Sequence, residues 1–440
     1  MVNARYAALQ VLERCRKDGA WVSAVLDSVI RKNELSHRDA ALVSALCLGV
    51  LQNSSYFDFL ISAYSSTRAD KLEKKVLDIL RLGVCQLLLM DRIPQRAAVN
   101  ETVALCDLTR MSRAKALVNA VLRRVAEHLT DLPEVPEKGS TAYLATRYSH
   151  PLWLSERLCA EQGYEFTEAF FNANNHTPPL TLQINTQRVS EQEYLCALDN
   201  KGIRYTCPPW PAHCVAIEGC PVTLLPGYDE GLFYVQDRAA RMAVDLMGLR
   251  EGMRVLDACA SPGGKSFAAA LNMNGKGQIL SCDIHEKKLS LIQSGARRLG
   301  LDWIQTRCRD ARHADDSEKN AYDAVIADVP CSGLGVMAKK PEIRGKKAEE
   351  LRSLPGIQRQ ILDALSSCVK PGGILLYSTC TILPDENEGV VRSFLDNHPD
   401  FHLCAFSIGE KSVPAGYYTF YPHVDGTDGF FAAKLIKDIS

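Results

Sequence analysis

Two short apolar runs in this chain end in cysteines. Ala324-Val-Ile-Ala leads into Asp328-Val-Pro-Cys331-Ser-Gly-Leu-Gly335, and Ile374-Leu-Leu-Tyr leads into Ser378-Thr-Cys380. Each run reads as a short strand buried on both faces. In an open α/β sheet, ligands sit in the crevice beyond the carboxyl ends of the strands. If these two strands are neighbours, two thiols and the Asp328 carboxylate face one pocket. That set suits methyl transfer to an unreactive aromatic carbon. C5 of a pyrimidine is a poor nucleophile, whereas a thiolate adding at C6 turns the ring into an enolate-like species that can accept a methyl group at C5. A free thiol is only a few per cent ionised at pH 7, so such a site must help form the thiolate. A second thiol and an acid beside it suit the later steps, loss of the C5 proton and elimination of the first thiol. N-methyltransferases of the same fold often carry Asn/Asp-Pro-Pro-aromatic after the fourth strand, where this chain has Asp328-Val-Pro-Cys331.

A second group of residues lies upstream. Val255-Leu-Asp257-Ala-Cys259-Ala260-Ser261-Pro262-Gly263-Gly264-Lys265-Ser266 reads as a strand, a tight turn and a helix start. Gly263 and Gly264 allow the backbone to come close to a ligand. A phosphate-binding loop needs a glycine where Cys259 stands, and the G-x-G-x-x-G dinucleotide fingerprint is missing. Acidic residues end the strands instead. Asp283, 20 residues after Gly263, is placed to accept hydrogen bonds from ribose hydroxyls; Asp310 follows the third strand and Asp328 the fourth. Carboxylates repel a pyrophosphate and suit a cationic adenosine-like ligand. S-adenosyl-L-methionine fits, with its ribose at Asp283, its adenine amine at Asp310, and its sulfonium and amino group near the glycine turn. Any one of these aspartates alone reads as a helix cap or turn residue; three in register with a glycine turn read as a cofactor site.

The elements that must position these residues alternate. Strands are expected at 254–258, 278–283, 303–307, 323–328 and 373–379, and helices near 265–272, 285–299, 355–368 and 386–397. This alternation implies a parallel, doubly wound Rossmann-like domain over 231–440, with Gly429-Phe-Phe-Ala-Ala-Lys-Leu as a last strand. Upstream, 178–230 reads as a small α+β subdomain. Leu180-Thr-Leu-Gln-Ile is a strand, Ser190-x-x-Glu193 opens a helix, and Arg204-Tyr-Thr and Cys214-Val-Ala-Ile are further strands. Asn185, Gln187 and Arg188 read as ordinary loop residues, although a strand end is a place for nucleic-acid contact. Residues 131–177 hold a Pro- and Gly-rich linker followed by helices. Residues 1–130 read as all helix, with the broad apolar face Val76, Leu77, Leu80, Val84, Leu87 and Leu88 at the centre. Arg123 and Arg124, near the last helix end, fit either RNA contact or complement to the helix dipole.

The totals bound the class. A chain of 440 residues with 46% hydrophobic residues is large enough for two or three domains. Its net charge of -1 hides an asymmetry. Residues 1–130 carry 19 lysines and arginines against 13 acidic residues, a net of +6, and the remainder a net of -7. A basic module on an acidic body hints at an anionic partner. Sixteen cysteines without a C-x-x-C pair give no zinc-finger spacing, so no metal is expected. With no apolar leader and no run of about 18 apolar residues, no secretion or membrane span is read, and the expected compartment is the reducing cytoplasm. Most of the cysteines then act as small buried hydrophobes.

Several motifs together resemble a known family. Asp257-x-Cys-Ala-x-Pro-Gly-Gly-Lys265, Asp328-x-Pro-Cys-Ser-Gly-x-Gly335 and Tyr377-Ser-Thr-Cys380 with Pro384-x-Glu-Asn-Glu388 are similar to the RNA cytosine-C5 methyltransferases of the NOL1/NOP2/Sun group. The helical N-terminal region, with Asn119-Ala-Val-Leu-Arg-Arg124, resembles a NusB-like RNA-binding module. In combination with Tyr148-Ser-His-Pro-x-Trp153 and Asp428-Gly-Phe-Phe it resembles the Sun/Fmu (RsmB) branch, over nearly the whole chain. The resemblance implies a NusB-like domain, a small RRM-like subdomain and a class I methyltransferase domain. It implies that Cys380 attacks C6 and that Cys331 assists release of the methylated base. It also implies that Cys259 to Lys265, Asp283, Asp310 and Asp328 bind S-adenosyl-L-methionine. The substrate it implies is 16S ribosomal RNA at cytosine 967. Rival readings are a transfer RNA or 23S rRNA methyltransferase of the same family, and a non-catalytic RNA-binding or antitermination-type factor; a DNA cytosine methyltransferase fits less well, since those enzymes use the Pro-Cys thiol as nucleophile and need no Thr-Cys thiol. This chain departs from the family at Ser261 (usually alanine), at Ser266 (usually threonine) and in Lys340-Pro-Glu-Ile-Arg344-Gly-Lys346, where the family's tryptophan is missing.

Overall fold

The computed structural model describes residues 3–313 and 315–439. The chain divides into two compact units, 1–177 with 337–348, and 178–336 with 349–440.

The first unit is helical. Seven helices, Ala4–Asp18, Val22–Lys32, His37–Gln52, Ser54–Tyr64, Lys74–Leu89, Gln95–Leu108 and Lys115–Glu127, enclose one apolar core. Lys74–Leu89 is the central helix, with Val76, Leu77, Leu80 and Val84 buried as their spacing expects and Leu87 and Leu88 half-buried. Three more helices, Thr141–Arg147, Leu152–Gln162 and Tyr164–Asn175, follow the linker. Residues 337–348, expected to belong to a continuous catalytic domain, are part of this unit. Arg344 fixes them there. It is buried, and its guanidinium donates to the carbonyls of Gln52, Tyr148, Ser149 and Asn174 at 2.5, 3.1, 3.3 and 3.0 Å. Burial pushes this guanidinium down to about 9, which still leaves it charged at neutral pH. Gln52 also donates to Ala338, and the Trp153 indole to the Lys346 carbonyl. The segment lacking the family's tryptophan therefore serves as packing within the helical unit. Among the described residues no single helix is long and apolar enough to cross a membrane.

The second unit holds two sheets of consequence. The small one comprises β1 (Leu180–Ile184), β2 (Tyr205–Thr206), β3 (Cys214–Ile217) and β4 (Phe233–Val235), antiparallel in the order β2-β3-β1-β4. Its helix Glu191–Asn200 starts with a complete Ser190/Glu193 capping box. The boundary expected at 230 falls just before β4, which completes this sheet. Asn185 is fully buried and donates to the carbonyls of Gly231 and Leu299, so it ties the small sheet to the end of the helix Glu286–Leu299.

The large sheet contains β5 (Arg254–Asp257), β6 (Gln278–Asp283), β7 (Gln305–Cys308), β8 (Tyr322–Asp328), β9 (Val369–Thr379), β10 (Phe401–Leu403), β13 (Tyr417–Phe420) and β14 (Phe430–Lys437); β11 (Phe406–Ile408) and β12 (Lys411–Val413) form a separate ribbon. The order is β10-β14-β9-β8-β5-β6-β7, with β13 beside β14. Strands β5 to β9 are parallel, as expected. The expectation of a wholly parallel sheet fails at one edge: β14 runs antiparallel to β9, and β10 and β13 antiparallel to β14. Both faces are covered. Val255, Ile279, Ile326 and Leu376 enter one core, and Leu256, Leu280, Val325 and Leu375 the other. Period-two alternation thus buries both faces of the central strands β5, β6, β8 and the second half of β9, which explains their apolar runs, while the edge strand β7 stays largely exposed.

Candidate active site

Strand β5 ends at Asp257, which is fully buried. Its Oδ2 accepts from Ser266 Oγ at 2.7 Å, and that hydroxyl lies 2.7 Å from Ser281 Oγ on β6. Burial pushes the Asp257 carboxyl up to about 7. Serine in place of the family's threonine keeps this hydroxyl link between β5, the helix Gly264–Asn272 and β6. The turn between them reverses at Gly263, whose φ of +114° favours glycine and whose added Cβ would lie 2.5 Å from the Phe267 ring.

Beyond the carboxyl ends of these strands lies a cleft of about 390 Å³. Of the ten residues assigned to the cofactor, Cys259, Ser261, Asp283, Asp310 and Asp328 line it; Ala260, Pro262, Gly263, Gly264 and Lys265 shape the turn behind it. Asp283 accepts from the His285 N–H at 2.8 Å. Asp310 is held at about 2 by hydrogen bonds from the Arg312 side chain and backbone. Burial pushes the Cys259 thiol well up, so it forms wall and carries no charge. Ile284, Ile357 and Ile361 give the cleft apolar surface. Carboxylates that can accept from hydroxyl and amine groups, beside apolar walls for a flat ring, fit S-adenosyl-L-methionine, with Lys288, Arg309 and Arg312 lining the same cleft. That cofactor supplies an electrophilic methyl group when bound.

Asp328 joins the cleft to the thiols. Lys265 Nζ lies 2.7 Å from its Oδ2, with the same ammonium 5.0 Å from the Phe430 ring centroid, and Ser378 Oγ donates to its Oδ1 at 2.9 Å. Asp328 and Ser378 are register partners across β8 and β9, so the loops that leave these strands run side by side. The Cys331 and Cys380 sulfurs are 3.2 Å apart, and the Cys380 N–H points at Cys331 Sγ at 3.3 Å. Contact with Cys380, then burial, raises the Cys331 thiol well above its ordinary value, so Cys331 keeps its proton. All 16 cysteines are free thiols. Among the described residues no three His, Cys, Asp or Glu side chains group so as to hold a metal ion.

Sequence reasoning placed both thiols and the acidic strand ends, and the structure brings them together. It gave no role to Gln358, Glu386 or Asn387, which hold the backbone on either side of the thiols. The Pro384-x-Glu-Asn-Glu motif was the available signal. It also missed a backbone contact: the Gly335 N–H donates to the Cys380 carbonyl and Gly429 N–H to the Gly335 carbonyl, at 3.0 and 2.8 Å. A Cβ on Gly335 would lie 1.8 Å from the Gly429 oxygen, which explains a glycine at each position.

Family models match three parts of the chain: 16S rRNA methyltransferase RsmB/F over 244–436, the NusB family over 2–127, and a ferredoxin-like domain of the RsmF/B methyltransferases over 150–223. A probable ribosomal RNA small subunit methyltransferase B of Bacillus subtilis (strain 168) is 32% identical over 446 residues, covering 99% of each chain. The ribosomal RNA small subunit methyltransferase B of Klebsiella pneumoniae is 34% identical, covering 99% of this chain and 98% of its own. Among solved structures, a methyltransferase homolog protein from Pyrococcus horikoshii is 27% identical with a TM-score of 0.61, covering 68% of this chain and all of its own. The protein PH0851, 24% identical, shares the fold over 99% of both chains with a TM-score of 0.82. The cleft and these full-length matches agree that the chain belongs to the ribosomal RNA small subunit methyltransferase B family and uses S-adenosyl-L-methionine as its methyl donor.

Proposed function

We propose that this protein methylates C5 of a cytosine in small-subunit ribosomal RNA, at cytosine 967 of the 16S molecule, through a covalent Cys380–C6 adduct resolved with help from Cys331. The observation that carries this reading is the 3.2 Å approach of two unbridged thiols at the carboxyl ends of adjacent strands, beside a carboxylate that also borders the cofactor cleft. Methyl transfer to a nitrogen or a ribose hydroxyl needs no thiol. Carbon C5 does, because a bond from sulfur to C6 pushes electron density onto C5.

In this reading the Cys380 thiolate adds to C6 and the C5 carbon takes the methyl group. A water then takes the C5 proton, the electron pair of that C–H bond re-forms the C5=C6 double bond, and the C6–S bond breaks with its pair returning to Cys380. Cys331, which holds its proton at neutral pH, donates a hydrogen bond to the departing sulfur and so stabilises the returning charge. Asp328 orients the cytosine edge. The target must be unstacked, since ring addition cannot occur inside a helix. The NusB-like unit, with the net charge of +6 over residues 1–130, supplies the electrostatic part of RNA binding. Free thiol chemistry of this kind calls for the reducing cytoplasm.

The test uses 16S RNA carrying tritium at C5 of cytosine. C5 methylation displaces that hydrogen, so one tritium is released for each methyl group incorporated, and bisulfite sequencing locates the product at cytosine 967. Methyl incorporation without tritium release, or with the modified cytosine elsewhere, overturns the reading.

A further inference from the structure

Neither proposed catalytic thiol lies in regular secondary structure. Cys331 follows the end of β8 by three residues and Cys380 is the residue after β9. A reactive group must be held close to its productive geometry, and a loop does this only if its neighbours have fixed partners. Here the partners of both loops come from one turn, Pro384–Glu386 and the residue after it.

Glu386 Oε2 accepts from the Ser332 N–H at 2.9 Å and from Gln358 Nε2 at 2.9 Å, and the same Gln358 Nε2 donates to the Pro330 carbonyl at 3.0 Å. The residues on both sides of Cys331 are thereby tethered. Asn387 treats Cys380 in the same way. Its Oδ1 accepts from Thr379 Oγ1 at 2.6 Å and its Nδ2 donates to the Thr381 carbonyl at 3.2 Å. Ser332 Oγ and Thr381 Oγ1, 2.6 Å apart, tie one loop to the other. Gln358, Glu386 and Asn387 are each at most 1% exposed, so water does not compete for these bonds. Adjacent residues of one chain keep their Cα atoms about 3.8 Å apart. Two brackets mounted on adjacent residues therefore hold the two thiol loops at a fixed separation.

We propose that Glu386 and Asn387 are positioning residues that together set the spacing of the Cys331 and Cys380 sulfurs. The inference rests on the catalytic reading of those cysteines. The chemistry of the side chains makes each replacement specific. Aspartate at 387 keeps the acceptor for Thr379 and loses the donor to the Thr381 carbonyl. Methionine at 386 keeps the length of the side chain and removes the oxygen that accepts from both the Ser332 N–H and Gln358, whereas glutamine could keep both bonds by placing its amide where Oε1 has no partner.

The experiment uses the full chain as Asn387→Ala, Asn387→Asp and Glu386→Met. One readout needs neither RNA nor cofactor: the rate at which diamide converts the two thiols to a Cys331–Cys380 disulfide, the reagent taking up two electrons and two protons to become its hydrazine. Mass spectrometry of the bridged peptides follows it. The other is single-turnover methyl transfer, with the KM for RNA and the Kd for cofactor measured beside it. Displacement of about 1 Å costs on the order of 100-fold in rate, so Asn387→Ala is expected to lose about that factor in methyl transfer and to cross-link more slowly, with KM and Kd unchanged. Asn387→Asp and Glu386→Met fall between it and the parent. These two near-isosteric variants carry the test if Asn387→Ala does not fold. Methyl transfer at the parental rate, or cross-linking at the parental rate, in both of them overturns the proposal. Failure of the cysteine reading is recognised separately, because Cys380→Ala would then still transfer methyl groups while the cross-linking rates continued to report the spacing.

Discussion

Asp328 contacts both halves of the site at once. Its two oxygens are taken by Lys265 from the glycine turn and by Ser378 from the strand that leads to Cys380, so the turn and that strand share one anchor. Asp257, one strand away, plays no such bridging part, yet it makes the pH behaviour of the fold testable. Its folded carboxyl sits at about 7, raised first by burial and further by Asp328. An acid raised on folding contributes stability that is complete below its unfolded value, near 3.9, and that is lost as pH rises toward 7, by up to about 1.4 kcal/mol per pH unit. Asp257→Asn removes this titration while leaving an oxygen for Ser266. Denaturant unfolding from pH 4 to 8 is expected to show a shallower fall for the variant between about 4 and 7; parallel curves contradict the assignment. The thiols and acidic strand ends could be found in the sequence because each follows a recognisable strand directly. The braces showed only as the Pro384-x-Glu-Asn-Glu motif with no role attached, because Glu386 and Gln358 work through backbone groups 54 and 28 residues away along the chain.

Among the elements, the parallel strands β5 to β9 follow from their apolar runs and the helices between them. The antiparallel edge does not. Strands β10 and β13 are three and four residues long, too short for alternation to register, and strand direction at β14 depends on the connection that leads into it. The segment 337–348 is a different case. Read along the chain it is an insertion in the catalytic domain, yet its contacts are those of Arg344 with four carbonyls of the helical unit. A lone arginine in a charged loop gives no sign of burial in sequence; only its acceptors reveal it. Arg344→Met keeps the volume and removes all donors. It is expected to destabilise the protein by at least about 3 kcal/mol, since the carbonyls lose a charged donor, with Arg344→Lys recovering only part because its ammonium lacks the planar fork. Thermal unfolding of the three proteins checks this, and an unchanged transition in Arg344→Met contradicts it.

For the molecule as a whole, a basic helical module, a small α+β sheet and a methyltransferase body were all visible in composition and periodicity, and their order along the chain matches the NusB, ferredoxin-like and methyltransferase models. The division of labour between the thiols belongs to this scale, because it requires RNA, cofactor and protein together. The most direct measurement is denaturing electrophoresis of full-length Cys331→Ala and Cys380→Ala after incubation with 16S RNA and S-adenosyl-L-methionine. Cys331→Ala is expected to accumulate a denaturation-resistant protein–RNA adduct, and Cys380→Ala to form none and transfer no methyl groups while still binding the cofactor. An adduct in Cys380→Ala, or measurable turnover by it, contradicts the account.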